Sequence, residues 1–392
     1  MYYPDELVEE VRTKNDIVDV ISGYVRMQKK GSSYFGLCPF HNEKSPSFSV
    51  SRDKQMYYCF GCGAGGNVFT FVMAYENCSF PEAIKELADR VGVTLPEMEY
   101  SEEVKKREGR KAKLLEVNKE AAKYFYYLLR SPKGAIGHQY LSGRALSEET
   151  MKKFGLGFAS VSNNELVSYL HSKGYADELI KEAGLASFDE RYGMHDKFWN
   201  RVMFPIQDIN HRVIGFGGRV MGDGKPKYLN SPETMIFDKS RNLYGLNFAR
   251  TSRKNNIILC EGYMDVIAMH QAGFTQAVAS LGTAFTVGQA NLLRRYTNDV
   301  LLAYDSDGAG VNAALRAINI LRESGLRGKV INMEPAKDPD EFIKANGADA
   351  FQERMDKAEN SFFFELRILE RDYDLNDPDS KTGFYREIAK KL

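Results

Sequence analysis

The sequence predicts a multidomain chain of mixed α+β and α/β class, and three observations carry that prediction. Near the N-terminus a C-x2-H pair and a C-x2-C pair stand 17 residues apart. In the middle, strand- and turn-like runs carry Arg201, Arg219, Lys225, Lys227, Lys239 and Arg241. Late in the chain, apolar runs end in carboxylates and then turn into helical patterns, the signature of buried parallel strands. The expected order is a metal-stapled module, a basic mixed α+β subdomain, an α/β parallel-sheet subdomain, and the start of a C-terminal helical bundle.

A length of 392 residues allows two or three domains with their own cores. The net charge is zero, but residues 1–100 carry 10 Lys+Arg against 14 Asp+Glu, residues 101–250 carry 25 against 18, and residues 251–392 carry 18 against 21. A basic middle beside an acidic sheet suits a polyanion steered toward a metal site. The five cysteines do not form a disulfide framework. No apolar run approaches the ~18 residues that would span a bilayer, and no signal peptide opens the chain, so a cytoplasmic protein is expected.

Taken in order, residues 4–25 predict two short helices, the second capped by Asn15 or Asp16 and carrying Ile17, Val20 and Ile21. Cys38, His41, Cys59 and Cys62 have the spacing of a Cys₃His zinc site. Strand-like Ser47–Ser51 and Met56–Tyr58 lie between the two pairs, which makes a zinc ribbon. All four ligand positions are protein, so the zinc is structural. Phe48, Tyr57, Tyr58 and Phe60, interleaved with Lys44, Arg52 and Lys54, are either a stacking platform for single-stranded nucleic acid or the core of a small module. Ser79–Glu82 opens a helix with a capping-box pattern that closes at Gly92.

Residues 96–113 are charged and poor in apolar side chains, which reads as a linker or a frayed helix start. Leu114, Val117, Ala121, Tyr124 and Leu128 mark an amphipathic helix, and residues 135–190 continue as helices with short breaks. Arg201–Ile206, Val213–Arg219 and Lys227–Thr234 read as strands and turns, with Gly215, Gly217 and Gly218 explained by close backbone packing. Their Arg and Lys side chains suit triphosphates and nucleic-acid backbone.

The acidic sheet follows. Ile257–Cys260 leads into Glu261-Gly-Tyr-Met-Asp265, Val300–Tyr304 into Asp305-Ser-Asp307-Gly-Ala-Gly310, and Lys329–Ile331 into Lys337-Asp338-Pro339-Asp340-Glu341. Ligands of such sheets bind beyond the carboxyl ends of the strands, so Glu261, Asp305 and Asp307 are expected to converge. Acids held together repel unless a hard cation such as Mg²⁺ lies between them. Any one of them alone is as readily a helix N-cap. The metal reading requires that no lysine or arginine fill the space between them; otherwise only a zinc-bearing DNA binder remains.

These last motifs resemble the Toprim domain of primases, topoisomerases and some nucleases. With the zinc ribbon and the basic block before it, the chain from about Asp5 to about Ala358 resembles the bacterial DnaG-type primases. The resemblance implies template-directed synthesis of RNA primers on single-stranded DNA from NTPs. It implies one structural Zn²⁺ on Cys38, His41, Cys59 and Cys62, and two or three Mg²⁺ or Mn²⁺ ions on Glu261, Asp305, Asp307, Asp338 and Asp340. Glu261, Asp305 and Asp307 would be catalytic, and Asp265 matches the first motif. Nucleotide and template contacts would fall on Arg144, Arg201, Arg219, Lys227 and Lys239.

Ser306 departs from the Gly or Ala of many Toprim sequences. The expected division is 1–96 zinc ribbon, 97–113 linker, 114–250 basic part of the polymerase domain, 251–358 Toprim and 359–392 partial bundle. The helicase-binding domain of the family is expected to be missing from this chain, which would act as a monomer away from membranes. A Toprim nuclease or topoisomerase and a non-catalytic zinc-ribbon DNA binder remain the alternatives.

Overall fold

A computed structural model describes residues 3–40, 43, 45–76, 78, 80–95, 102–190 and 193–391, with the backbone alone at 102–105 and 390–391. The chain divides into two compact units, Met1–Lys105 and Lys106–Leu392.

In the first unit, helices Asp5–Lys14, Ile17–Ser22, Val68–Tyr75 and Phe80–Val91 pack on an antiparallel sheet. Asp16 caps the second helix by accepting from Val18 N and Asp19 N. The sheet runs in order Gln28–Lys30, Ser33–Gly36, Phe48–Ser51, Met56–Cys59, Gly65–Gly66. Burial alternates along its fourth strand: Tyr57 and Cys59 point into the core while Met56 and Tyr58 face out. Strand periodicity therefore divides the aromatic residues into two sets. Phe48 and Tyr57 are core, whereas Tyr58 and Phe60 are exposed and meet edge-on at 5.2 Å. Arg52 faces Asp16 and Asp19 across ion pairs. Lys44, and Ser79 of the expected capping box, lie outside the described residues.

The second unit begins in a long helix, Glu102–Leu129. Most of the stretch read as a linker is thus helical. Its charges have partners, since Arg110 pairs with Glu178 and Glu182, while Leu114, Val117, Ala121 and Phe125 are buried. Residues 135–190 hold four helices but also two pieces of sheet that helical periodicity does not show. Gly157–Ala159 is a wholly buried strand, and Ala186–Asp189 pairs with Gly193–Asp196 in a hairpin. Three buried residues are too few to display alternation, so the strand has no sequence signature of its own.

Gly157–Ala159 is one edge of a four-stranded antiparallel sheet completed by Arg201–Gln207, Val213–Val220 and Tyr228–Asn230. Gly217 on this sheet lies under the Tyr263 ring, where a Cβ would come within 2.5 Å of Cζ. The same ring stacks on Phe204 at 5.0 Å, and its hydroxyl donates to Asn230 Oδ1 at 2.7 Å. The basic sheet is thereby fastened to the start of helix Tyr263–Gln271, directly after Glu261.

The second sheet has the order Ala277–Ala279, Asn256–Cys260, Asp299–Ala303, Arg327–Val330, Glu359–Asn360, parallel except for the last strand. Alternate residues supply two cores. Ile258, Cys260, Leu301 and Ala303 pack toward Met264, Ile267 and Phe351, and Ile257, Leu259, Val300 and Leu302 toward Ala314, Ile318 and Leu321. From Asn256–Cys260 the chain moves to one side, and from Asp299–Ala303 to the other. The crevice between the carboxyl ends of these two neighbours is the topological switch point.

Candidate functional site

Glu261 and Asp305 follow the two switch-point strands directly, and the Asp305 N–H donates to Glu261 Oε1 at 3.0 Å. Gly310 lets the next helix start tight against this turn; a Cβ there would meet the Asp305 carbonyl oxygen at 2.1 Å. Asp307 caps that helix, its Oδ1 accepting from Gly310 N at 2.9 Å. Asp338 caps helix Pro339–Asp356 in the same way, accepting from Glu341 N at 2.8 Å. The capping role and the site role coincide in both residues, because one oxygen is engaged and the other remains. Ser306 joins the two acidic loops, its N–H donating to Lys337 O at 2.9 Å and its hydroxyl to Ala336 O at 3.0 Å.

Burial, then the charges of Asp305 and Asp307, push the Glu261 carboxyl up. Burial, then Asp338, push Asp305 up. Asp265 is pushed up to about 8 by burial first and by Asp338 and Asp305 next, against a bond from Gly262 N. A set of acids that raise one another's pKa values is the condition that a divalent cation relieves, and an all-oxygen donor set suits a hard ion.

A lysine borders the cluster. Lys337 Nζ lies 3.8 Å from Asp305 and 4.0 Å from Asp307, with its side chain 61% exposed. Both separations exceed hydrogen-bond length, and one ammonium against Glu261, Asp305, Asp307 and Asp338 leaves the crevice negative. Among the described residues, no three carboxylates close to within 4.8 Å of one another.

Asp340 differs from the other acids. It is buried, and its Oδ2 meets Lys344 Nζ at 2.7 Å and Arg144 Nη2 at 3.4 Å.

Three of the five basic residues lie on the strand Val213–Val220, just before Tyr228–Asn230, and in the short helix Lys239–Arg241. The Arg219 guanidinium lies over Tyr140 at 4.4 Å, Lys227 is exposed, and Lys239 is half-buried. Tyr228 connects the two regions: burial and Tyr140 push its phenol up to about 12, with Arg219, Asp265 and Arg144 all within electrostatic reach. Arg144 is tied to Asp340. Arg201 is 5% exposed and donates to the carbonyls of Gly218 and Pro226 at 3.2 and 2.9 Å. Its guanidinium is buried and bonded to the carbonyls of its own sheet and the adjoining loop.

In the first unit, Cys38, Cys59 and Cys62 bring their Sγ atoms within 4.8 Å of one another, with Cys38 and Cys62 at 3.8 Å. Burial pushes the Cys38 thiol well up, so a bound cation would favour its thiolate. Soft sulfur donors at this spacing fit Zn²⁺. His41 lies outside the described residues. Glu43, which sequence reasoning passed over, clamps the loop by accepting from Cys38 N at 2.7 Å and Ser47 N at 3.0 Å.

Comparison with known proteins agrees with this arrangement. Residues 3–103 match the CHC2 zinc finger family, 124–250 the N-terminal domain of the DNA primase catalytic core, and 258–343 a Toprim-like family. The DNA primase of Clostridium acetobutylicum is 46% identical over 98% of this chain, and the chain spans 64% of that relative's length. The crystal structure of the zinc-binding and RNA polymerase domains of Aquifex aeolicus primase superposes with a TM-score of 0.62 at 35% identity, covering 97% of this chain and 91% of that one. A DnaG primase catalytic domain bound to single-stranded DNA superposes with a TM-score of 0.64 at 36% identity, covering 70% and 87%. The CHC2 match implies zinc and the Toprim match a divalent metal. Zinc-finger, primase-core and Toprim-like matches in this order, with 35% identity across nine-tenths of a solved primase, mean that the chain belongs to the bacterial DnaG-type primase family.

Proposed function

We propose that the chain is a DNA-dependent RNA polymerase that makes short RNA primers on single-stranded DNA. The observation that carries this reading is the gathering of Glu261, Asp305, Asp307 and Asp338 within electrostatic reach of one another at the switch point of the parallel sheet, with Arg219 and Tyr228 paired across two adjacent strands of the basic sheet. In the reaction, the primer 3′ hydroxyl attacks the α-phosphorus of an incoming ribonucleotide, forming a P–O bond as pyrophosphate leaves.

Glu261, Asp305, Asp307 and Asp338 would hold two or three Mg²⁺ or Mn²⁺ ions. Bound there, such ions stabilise charge on the attacking and leaving oxygens. Asp305 presents both its backbone to Glu261 and its carboxylate to the crevice. Glu261, with one oxygen fixed by that backbone N–H and its pKa raised, is suited to hold a metal or to take the hydroxyl proton. Arg219, Lys227 and Lys239 hold the triphosphate. The exposed Tyr58 and Phe60 offer bases a stacking surface on the zinc ribbon, whose metal is structural and bound by Cys38, His41, Cys59 and Cys62. Template, NTPs and nascent primer are the partners, and the chain acts as a monomer. The ssDNA-bound relative supports the choice of template.

One observation favours a second reading. Lys337 beside Asp305 and Asp307 is what a non-catalytic DNA binder would use to balance its acids. Incorporation of labelled ribonucleotides on a defined single-stranded template, with and without divalent metal, separates the two. The polymerase reading predicts metal-dependent primers from the wild type and a loss of about a hundredfold or more in Asp307→Asn, since losing one preorganised charge-stabilising group typically costs that much. Asn caps a helix as well as Asp does, so the variant keeps its fold. DNA binding without turnover, or full activity in the variant at saturating Mg²⁺, would contradict it.

A further inference from the structure

Asp340 is 2% exposed, at the second position of helix Pro339–Asp356. A carboxylate at such a site needs cations or hydrogen-bond donors to offset its lost hydration. Two are present on the same oxygen, Lys344 Nζ at 2.7 Å one helical turn on and Arg144 Nη2 at 3.4 Å from a distant part of the chain. The other oxygen, Oδ1, is buried without a hydrogen-bond partner.

The turn that follows Arg144 is fixed as well. It ends helix Ala135–Gly143, and the next residue, Ala145, takes φ +60°, a left-handed conformation that a non-glycine residue adopts only under constraint. The constraint is Gln271, at the end of the helix that follows Glu261. Its Nε2 donates to Ala145 O at 2.8 Å and its Oε1 accepts from Ser147 N at 2.8 Å. The Arg144 side chain is still 41% exposed, and its charge reaches Tyr228 beside Arg219. Two elements of the acidic subdomain thus bear on one arginine, one through the main chain of Ala145 and Ser147 just after it and one through its side chain.

We propose that Asp340 is a positioning residue for Arg144, holding the guanidinium toward the triphosphate of the incoming nucleotide, and that it does not ligate the divalent ions. Lys344 neutralises the remainder of the buried charge. This inference rests on the nucleotidyl-transfer reading. The free Oδ1 is the atom by which the rival assignment, direct metal ligation, would act.

The test uses the zinc-loaded full chain and the variants Asp340→Asn, Arg144→Ala and the double. Mn²⁺ affinity is read from the EPR signal of the free ion, nucleotide affinity from equilibrium dialysis, and KM and kcat from primer synthesis. Each single variant is expected to weaken nucleotide affinity and raise KM by about tenfold, with no further loss in the double and with Mn²⁺ affinity within about twofold of wild type. A loss of Mn²⁺ affinity of about fivefold or more in Asp340→Asn alone, or additive losses in the double, would overturn the proposal.

Should Asp340→Asn melt early, Arg144→Lys and Arg144→Ala decide. Recovery of part of the nucleotide affinity by lysine, with Mn²⁺ affinity unchanged in both, supports the anchor. A gain of about fivefold or more in Mn²⁺ affinity in Arg144→Ala would mean that a ligand had been released from its cation, and would overturn it. If the wild type makes no primer, the polymerase reading fails, while ion and nucleotide binding still decide the role of Asp340.

Discussion

Residue identity announces charge but not burial. The acids after the strands are readable because their spacing relative to apolar runs places them at strand ends, and Glu261 and Asp305 stand where that spacing puts them. Whether an acid faces the crevice or the core is decided by tertiary contacts. Hence Asp340, two residues beyond Asp338, proves buried against Arg144 and Lys344. Arg201, similar in sequence to its basic neighbours, bonds two carbonyls inside the sheet. Asp265 carries a prediction at this scale. Its pKa is raised to about 8 in the folded chain, mainly by burial, against an ordinary value of 3.8. The unfolded chain therefore releases this proton at lower pH than the native one, and the fold loses stability as pH rises between those values. Asp265→Asn, which can still accept from Gly262 N, removes that dependence. In metal-free buffer its melting temperature should gain on wild type steadily from pH 5 to pH 8. A difference that is flat with pH would mean that Asp265 is ionised throughout.

Elements were legible in proportion to their length and periodicity. The apolar strands of the parallel sheet and the amphipathic helix through Leu114 and Ala121 declare themselves, whereas Gly157–Ala159 does not. The charged stretch before Leu114 hides a helix because its partners, Glu178 and Glu182, are some 70 residues away in sequence, a separation of 72 for the Arg110–Glu182 bond. Gly217 shows packing that a sequence reading can suspect without naming the partner. The partner is Tyr263, the third residue of the Glu261 motif, so basic strand and acidic loop depend on one contact. Gly217→Ala should destabilise the second unit by about 1–3 kcal/mol in chemical denaturation, the usual cost of overpacking a fixed core. Adding Tyr263→Leu should recover part of it. An alanine variant as stable as wild type would show that the ring is free to move.

At the scale of the molecule, each unit has its own core and its own use for metal. The first holds three thiols together around a small core of Phe48, Phe71 and Ile84, and metal affinity is folding free energy in such modules. Stripping zinc should therefore abolish the melting transition of Met1–Lys105 while the Lys106–Leu392 transition keeps its midpoint in Mg²⁺, as followed by calorimetry. One shared transition that shifts as a whole would contradict independent stabilisation. The second unit gathers acids at the switch point of its parallel sheet, and the account depends on those acids sharing divalent ions in spite of Lys337. Anomalous scattering from crystals soaked in Mn²⁺ tests this most directly. The predicted result is a manganese peak ligated by Glu261 and the Asp305–Asp307 pair, with the Lys337 ammonium displaced outward. A crevice without manganese, with Lys337 still beside Asp305 and Asp307, would contradict it.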